Sequence, residues 1–394
     1  MNTRKVLIPG LVVGLIAAAA CVVAALSPAL RPAFFRAYLF AYIFWLGVSL
    51  GSLALPMLHN LTGGAWGITV RRIAEAASLT IPLMALLFIP IFFGLPELFP
   101  WADPAKVAAE HLLQHRQPYL NVPFFVIRAI LYFVIWTALA FIELGLARRI
   151  ERTGDPRTRS TLRGWSAAGL IIYLVTMTHA GTDWVMSRDL EFYSTAFGFV
   201  LTTGQTLCAT AFAILVLALT HRQPDLQRSA QKGVLNDIGN ILLTLVILWS
   251  YVSFMQLLVI WMGNTGEDNI YYLQRGLGQP SPWRWVGLAL VVLHFFVPFF
   301  LLLFRATKRY IPTLTTIAAT LFVLHIVDAF WLIAPSGDHV GPQFVISWID
   351  PVVLLAVGGL WLAWFLLFLP ARLAAAAGAL EINASIEAEE AAHA

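Results

Sequence analysis

Two short runs in this sequence set an imidazole beside a carboxylate at helical spacing: His179-Ala-Gly-Thr-Asp183 and His325-Ile-Val-Asp328. Residues three or four apart share a helix face, so each His and Asp would be neighbours if both runs are helical. A carboxylate beside an imidazole favours the charged ring and moves its titration toward neutrality, which suits proton exchange. The same pairs could equally serve as hydrogen bonds between helices, and spacing alone leaves both roles open. Further ionisable groups stand in apolar surroundings: His59, Glu75, Glu143, Asp237, Arg128, His294 and Asp350. Trp249-Ser-Tyr251-Val-Ser253-Phe-Met-Gln256 adds hydroxyls and an amide, which can order water or act as polar glue between helices.

The elements that must carry these residues are membrane spans. Of the 394 residues, 59% are hydrophobic and 12% charged, with 27 Phe and 14 Trp, against roughly a quarter charged in a soluble domain. A span needs about 20 apolar residues. Ten segments qualify: 6–27, 34–58, 73–93, 122–147, 164–183, 193–219, 235–262, 284–304, 311–333 and 345–369. The first could be mistaken for a signal peptide, because Arg4 and Lys5 precede it, but its apolar run exceeds a signal h-region. The sequence therefore predicts an all-α polytopic protein. The 146-residue offset between His179 and His325 suggests two four-helix units: 34–192, with spans two to five, and 193–344, with spans six to nine. Residues 1–33 form the first span and its turn, 345–371 the tenth span, and 372–394 an Ala/Glu-rich tail. The net charge of +4 is small and its basic residues lie between apolar runs, so no nucleic-acid face exists.

Seventeen of the 25 Lys and Arg fall on the side of the N-terminus: Arg4, Lys5, Arg71, Arg72, Arg148, Arg149, Arg152, Arg157, Arg159, Arg163, Arg222, Arg228, Lys232, Arg305, Lys308, Arg309 and Arg372. The positive-inside rule then puts both termini in the cytoplasm. The outer 94–121 loop carries Asp103 as an N-cap and Pro104 at the first helical position, predicting a short helix to about His115. It would be a connector or a docking platform.

Depth then sorts the polar residues. Glu75, Glu143 and Asp237 lie toward the cytoplasm, and Arg128, His179, Asp183 and Asp328 toward the outside. His294 and His325 lie nearest the middle, accompanied by Tyr251, Ser253 and Gln256, so a proton path could run through this set. Pro298 frees a backbone carbonyl near His294. Arg128 and Glu143 are about 22 Å apart on one helix and need separate partners. The small-residue face Gly47-x-x-x-Gly51 favours close helix packing. Cofactor chemistry is restricted. Cys21 and Cys208 cannot ligate an iron–sulfur centre, and Cys-x-x-Cys-His is absent. His294 and His325 are the best bis-His pair for haem, yet neither has the flanking glycines that admit a porphyrin. The sequence is expected to bind no metal of its own.

Several blocks resemble a known family. They are 38–59, ending Leu-Ala-Leu-Pro-Met-Leu-His59, then Leu61-Thr-Gly-Gly-Ala-Trp-Gly67, Asp183-Trp-Val-Met-Ser187 and Tyr193-Ser-Thr-Ala-Phe-Gly198. Leu248-Trp249-Ser-Tyr251-Val-Ser-Phe254-Met-Gln256, Ile260-Trp-Met-Gly-Asn264 and Asp328-Ala-Phe-Trp-Leu-Ile-Ala-Pro335 complete the set. From about residue 34 to 369 the chain resembles the second NrfD/PsrC-like membrane subunit of bacterial alternative complex III, the ActF type. Where that family continues Leu-Asp-Pro-His after the serine, this chain has Arg188-Asp189-Leu190-Glu191.

The resemblance implies a ten-span subunit with two four-helix bundles, in the inner membrane, within a quinol:electron-acceptor oxidoreductase. Its implied partners are an NrfD-like quinol-site subunit, an iron–sulfur subunit, multihaem and monohaem cytochrome c subunits, and a terminal oxidase. Iron–sulfur clusters and c-type haems would sit on those partners. Quinol is the one small molecule this chain could meet, with His325, Asp328 and Arg128 as quinone-facing candidates. A secondary transporter is the rival from another class, since ten spans with buried acids suit it too, and a purely structural anchor is a third reading. Against the transporter, no span pair is conspicuously broken by Gly and Pro in its middle.

The basic-residue distribution predicts that a cysteine introduced by Ala109→Cys reacts with a membrane-impermeant maleimide in intact spheroplasts. Protection at that site, with labelling of the C-terminal tail, would reverse the topology.

Overall fold

The computed structural model describes residues 4–221, 231–264, 266–278, 280–336 and 346–393. Arg222, Arg228 and Gln279 lie outside the described residues. The fold is all-helical, with no strand among the described residues. In chain order the helices are α1 (Arg4–Leu26), α2 (Arg31–Thr62), α3 (Gly67–Ser78), α4 (Ile81–Leu87), α5 (Ile89–Phe93) and α6 (Leu95–Leu98). Then come α7 (Pro104–Ala109), α8 (His111–Arg116), α9 (Val122–Thr153), α10 (Pro156–Trp184), α11 (Phe197–Thr220) and α12 (Lys232–Gly263). The last are α13 (Gly266–Gln274), α14 (Trp283–Ala289), α15 (Val297–Leu303), α16 (Arg305–Lys308), α17 (Ile311–Ile333) and α18 (Ile349–His393).

Among the described residues, eight helical segments are long and apolar enough to cross a membrane: α2, Val70–Phe93, α9, α11, α12, Trp283–Leu303, α17 and Ile349–Ala374. The other two expected spans are helical but differ in character. In α1 the part Gly14–Leu26 forms a shorter apolar helix. Helix α10 is 29 residues long, but Arg157, Arg159, Arg163, His179 and Asp183 dilute its apolar character.

Two spans that the sequence suggests are continuous are in fact interrupted. The 73–93 segment breaks at Leu79–Thr80 and again at Phe88, ahead of Pro82 and Pro90. Proline lacks an N–H and its ring crowds the preceding turn, so each begins a new helix. The Thr80 hydroxyl donates to the Ala77 carbonyl at 2.6 Å and so occupies an acceptor at the break. Between α14 and α15, residues Leu290–Phe296 form a π-helix. Pro298 cannot donate to the His294 carbonyl, and the wider turn accommodates its ring.

The outer loop also departs from expectation. Asp103 caps α7 by accepting from the Ala105 N–H at 2.9 Å. The helix stops at Ala109, however, and Glu110 is extended before α8 begins. Val107 and Leu113 are both buried. On one continuous helix they would point about 120° apart, so the break lets both face the core.

Helices α2 and α11 form the centre, with 94% and 89% of their spanning windows buried; α12 and the α14–α15 segment have 28% and 22%. Helices α3, α10, α17 and α18 pack around α2, while α10, α12 and α17 pack around α11. The α2–α11 contact brings backbone against backbone. A Cβ on Gly51 would stand 2.0 Å from the Gln205 carbonyl oxygen, and one on Gly47 3.0 Å from the Gln205 side chain.

This approach is expected to tolerate no side chain at residue 51. Gly51→Ala should lower the thermal midpoint of the detergent-purified protein by several degrees, since overpacking costs about 1–3 kcal/mol. Gly145→Ala, where a Cβ meets nothing within 4 Å, should be neutral or slightly stabilising. Equal midpoints for both variants would refute the contact.

Candidate functional site in the second half of the bundle

The bundle has two ends: the loop end, where residues 94–121 lie, and the basic end, where α9 meets α10. Between them, α11, α12, α14–α15 and α17 enclose four polar side chains. His325 and Asp328 share a face of α17, with Nδ1 and Oδ2 3.5 Å apart, just beyond an ordinary hydrogen bond. The His294 ring lies over the His325 ring, with centroids 6.0 Å apart and planes 24° from parallel. Trp249 closes the cluster edge-on to His294 at 4.3 Å. Gly204 of α11 makes room: a Cβ there would sit 2.8 Å from His325 Cε1 and 3.3 Å from Trp249.

His294 is 0% exposed, and neither of its ring nitrogens has a hydrogen-bond partner. His325 Nδ1 and Trp249 Nε1 likewise make no hydrogen bond of ordinary length, with Trp249 directed at Asp328. A neutral imidazole carries one donor and one acceptor. Each left unmade in an apolar interior costs about 1–3 kcal/mol. Such orphaned atoms, gathered in one place, mark where water or the polar end of a ligand would be held. The π-helix that presents His294 is of the kind that accumulates at functional sites.

Other expected members are not brought together here. Tyr251 is 59% exposed, on the outward face of α12. Gln256 lies two turns beyond Trp249, toward the loop end, and donates to the Tyr272 hydroxyl at 3.3 Å. Asp237 is exposed on α12 near the basic end. Tyr251 and Gln256 therefore do not join His294 in the expected central bridge. In an apolar helix surrounded by lipid and protein, sequence spacing does not say which face turns inward.

The first half of the bundle uses its charges differently. His179 and Asp183, expected as neighbours, separate: His179 is exposed, while Asp183 is 0% exposed. Asp183 instead accepts two hydrogen bonds from Arg128, Nε to Oδ2 at 2.8 Å and Nη2 to Oδ1 at 2.9 Å, and one from the Tyr132 hydroxyl at 2.9 Å. Arg128 also donates to the Tyr119 carbonyl at 2.9 Å, beneath the Tyr119 ring at 3.9 Å. A bidentate pair with a third donor on the carboxylate is a structural clasp tying the outer loop to α9 and α10.

At the basic end, Glu75 is 3% exposed and pairs with three arginines: Arg71 at 2.7 Å, Arg72 at 3.2 Å and Arg372, whose Nε lies 3.0 Å away. Glu151 joins the cluster through Arg72 and Arg372. Glu143 makes no ion pair, accepting from Asn60 and from the Ser166 hydroxyl, the latter at 3.1 Å. Of the three acids expected at this end, Glu143 is the one buried without a cation in contact.

The sequence reading missed two buried arginines at the loop end. Arg275 donates to the carbonyls of Trp331 and Leu332, Arg188 to those of Ile333 and Ser336. Both cations thus sit at the C-terminus of α17, its negative pole. Burial, with Arg36 and Arg275 as like charges, lowers the Arg188 pKa to about 10, and Asp189 opposes this. The departure of residues 188–191 from the family pattern was the available signal, but it gave no hint of the target.

Comparison of the sequence with protein-family models and with curated proteins returned no match.

The clasp predicts a clear asymmetry between two residues of one helix. Asp183→Asn leaves Arg128 buried without its counterion and should cost about 3 kcal/mol or more, read as a lowered thermal midpoint. His179→Ala should change it by less than about 0.5 kcal/mol. A larger loss for His179→Ala would place the functional pair where the sequence spacing put it.

Proposed function

We propose that this chain is a ten-span, NrfD/PsrC-like membrane subunit of a quinol-oxidising respiratory complex of the alternative complex III type. It lies in the bacterial cytoplasmic membrane with both termini inside. It carries no redox centre and serves as a scaffold with a proton-handling, quinone-facing cluster. The observation that supports this reading is the buried set His294, His325 and Asp328, in which both nitrogens of His294 and Nδ1 of His325 make no hydrogen bond of ordinary length.

Quinol oxidation releases two electrons and two protons. With two cysteines, both buried singly in helices, the electrons would leave through iron–sulfur clusters and c-type haems of partner subunits. The chain's own contribution would be to protons. Asp328 and His325 can exchange one at the centre, and Glu143 is the corresponding acid toward the basic end. Ser49, Thr80 and Trp361 form a further hydrogen-bonded group inside the bundle, with Ser49 Oγ 2.6 Å from Thr80 Oγ1 and 2.8 Å from Trp361 Nε1.

A secondary transporter remains the competing reading, and the interrupted 73–93 segment and the π-helix speak for it. Transporters break helices at corresponding positions of two repeats. Here the breaks fall in the second span of one four-helix unit and the third of the other.

Affinity purification separates the two: the subunit of a respiratory complex should bring c-type haem absorbance with it, a transporter none. Within that complex, Asp328→Asn keeps shape and removes the titratable charge. Proton release per electron, or turnover, should fall severalfold with haem content unchanged. Full turnover and unchanged proton stoichiometry in both Asp328→Asn and His325→Gln would reduce these residues to helix–helix hydrogen bonds.

A further inference from the structure

At the loop end, α2, α17 and α18 come together around a second polar cluster that the reading above does not use. Arg36 of α2 has a side chain 12% exposed, and its Nη2 stands 3.7 Å from Asp350 Oδ2, an ion pair without a hydrogen bond. Arg36 Nε and Nη2 have no hydrogen-bond partner, and neither do Arg188 Nε and Asp350 Oδ1. Asp350 Oδ2 is already engaged by the Ser347 N–H at 2.8 Å. Arg275, fully employed in capping α17, adds a third guanidinium. Among the described residues this gives three cations against two carboxylates, Asp350 and Asp189, all but Arg36 at 5% exposure or less.

Among the described residues the α17 C-terminal carbonyls partly compensate Arg188 and Arg275, so the excess charge falls on Arg36, and a buried excess cation is unfavourable unless an anion completes it. The atoms of Arg36, Arg188 and Asp350 without a hydrogen bond include three guanidinium nitrogens. Guanidinium forks match tetrahedral oxyanions, accepting through two or more oxygens. The position fits as well. Arg36 lies about 7–8 Å along the helix axis from the start of α2, at 1.5 Å per residue, and α18 begins beside it. That is the depth at which a membrane helix leaves the hydrocarbon for the headgroup layer.

We propose that Arg36 and Arg188, at the loop end of α2 and beside the first turn of α18, form a binding site for a singly charged phosphate oxyanion. Two sources share that chemistry: the phosphodiester of a phospholipid headgroup and free inorganic phosphate. The site stands apart from the His–Asp cluster and does not depend on any role in quinol oxidation.

The test uses the full chain, purified in detergent and stripped of lipid, with the thermal midpoint read on adding inorganic phosphate or, separately, phosphatidylglycerol. Either ligand should raise the wild-type midpoint by roughly 2–4 °C. A response to phosphate alone identifies a free-anion site; a response confined to the lipid identifies a headgroup site. Arg36→Gln removes the uncompensated charge, so its stripped midpoint should equal or exceed that of the wild type while the response disappears. Arg36→Lys, which keeps the charge but not the fork, should respond more weakly and guards against a folding defect in the first variant. No response in the wild type, or an undiminished one in Arg36→Gln, would overturn the proposal. So would a stripped midpoint for Arg36→Gln well below the wild type, since Arg36 would then serve only Asp350. Asp338 lies outside the described residues; loss of stability in Asp338→Asn matching that of Arg36→Gln would also overturn it, by making a protein carboxylate the counterion.

Discussion

Helix α2 meets α11 with Gly51 against the Gln205 carbonyl, and the rest of the molecule is arranged about that contact. Because Gly47 and Gly51 put no side chain between the helices there, both can be almost wholly enclosed, α2 the more deeply. In a membrane no hydrophobic force drives helices together, so close backbone approach and polar bonds must supply the association. Gln205 contributes both. Its carbonyl lies under Gly51, and its side chain accepts from the Tyr173 hydroxyl at 2.5 Å, adding α10 to the central pair. Gly204, one residue earlier, opens the space that His325 and Trp249 fill. One stretch of α11 therefore sets both the packing and the candidate site.

Around this centre the buried charges are settled in distinct ways. Arg128 and Asp183 neutralise each other with full geometric match. Glu75 is held by several arginines drawn from two helices remote in sequence. Arg188 and Arg275 are placed at the negative end of α17. The His294–His325–Asp328 group in the middle and Arg36 with Asp350 at the loop end are less completely satisfied by protein, and unpaired polar groups are costly in an apolar interior.

The helix interruptions have the same distribution. The Thr80 break puts a hydroxyl against Ser49, deep beside α2. The π-turn before Pro298 turns His294 toward His325. Both lie within spans, where exposed backbone would be intolerable unless enclosed by protein. Thr80 meets that condition with 0% exposure and His294 likewise. The Asp103-capped loop, by contrast, breaks at Glu110 and so seats both Val107 and Leu113.

What the sequence alone determined was the class of the molecule: an all-helical chain of apolar segments, the turns between them, the N-cap at Asp103, and the disturbance that Pro298 brings near His294. It also required that Arg128 and Glu143 find separate partners, because their separation along one helix forbids a pair. Which partners they find was decided by tertiary structure. Arg128 meets Asp183 across 55 residues and Glu75 meets Arg372 across 297. His179 turns outward and Asp183 inward from the same helix, and Tyr251 faces away from the cluster it was expected to join. The physical reason is that lipid is as apolar as the protein interior. A soluble helix announces its buried face by the polar residues opposite it, whereas a membrane helix is apolar all round, so only packing against its neighbours decides which side chains meet.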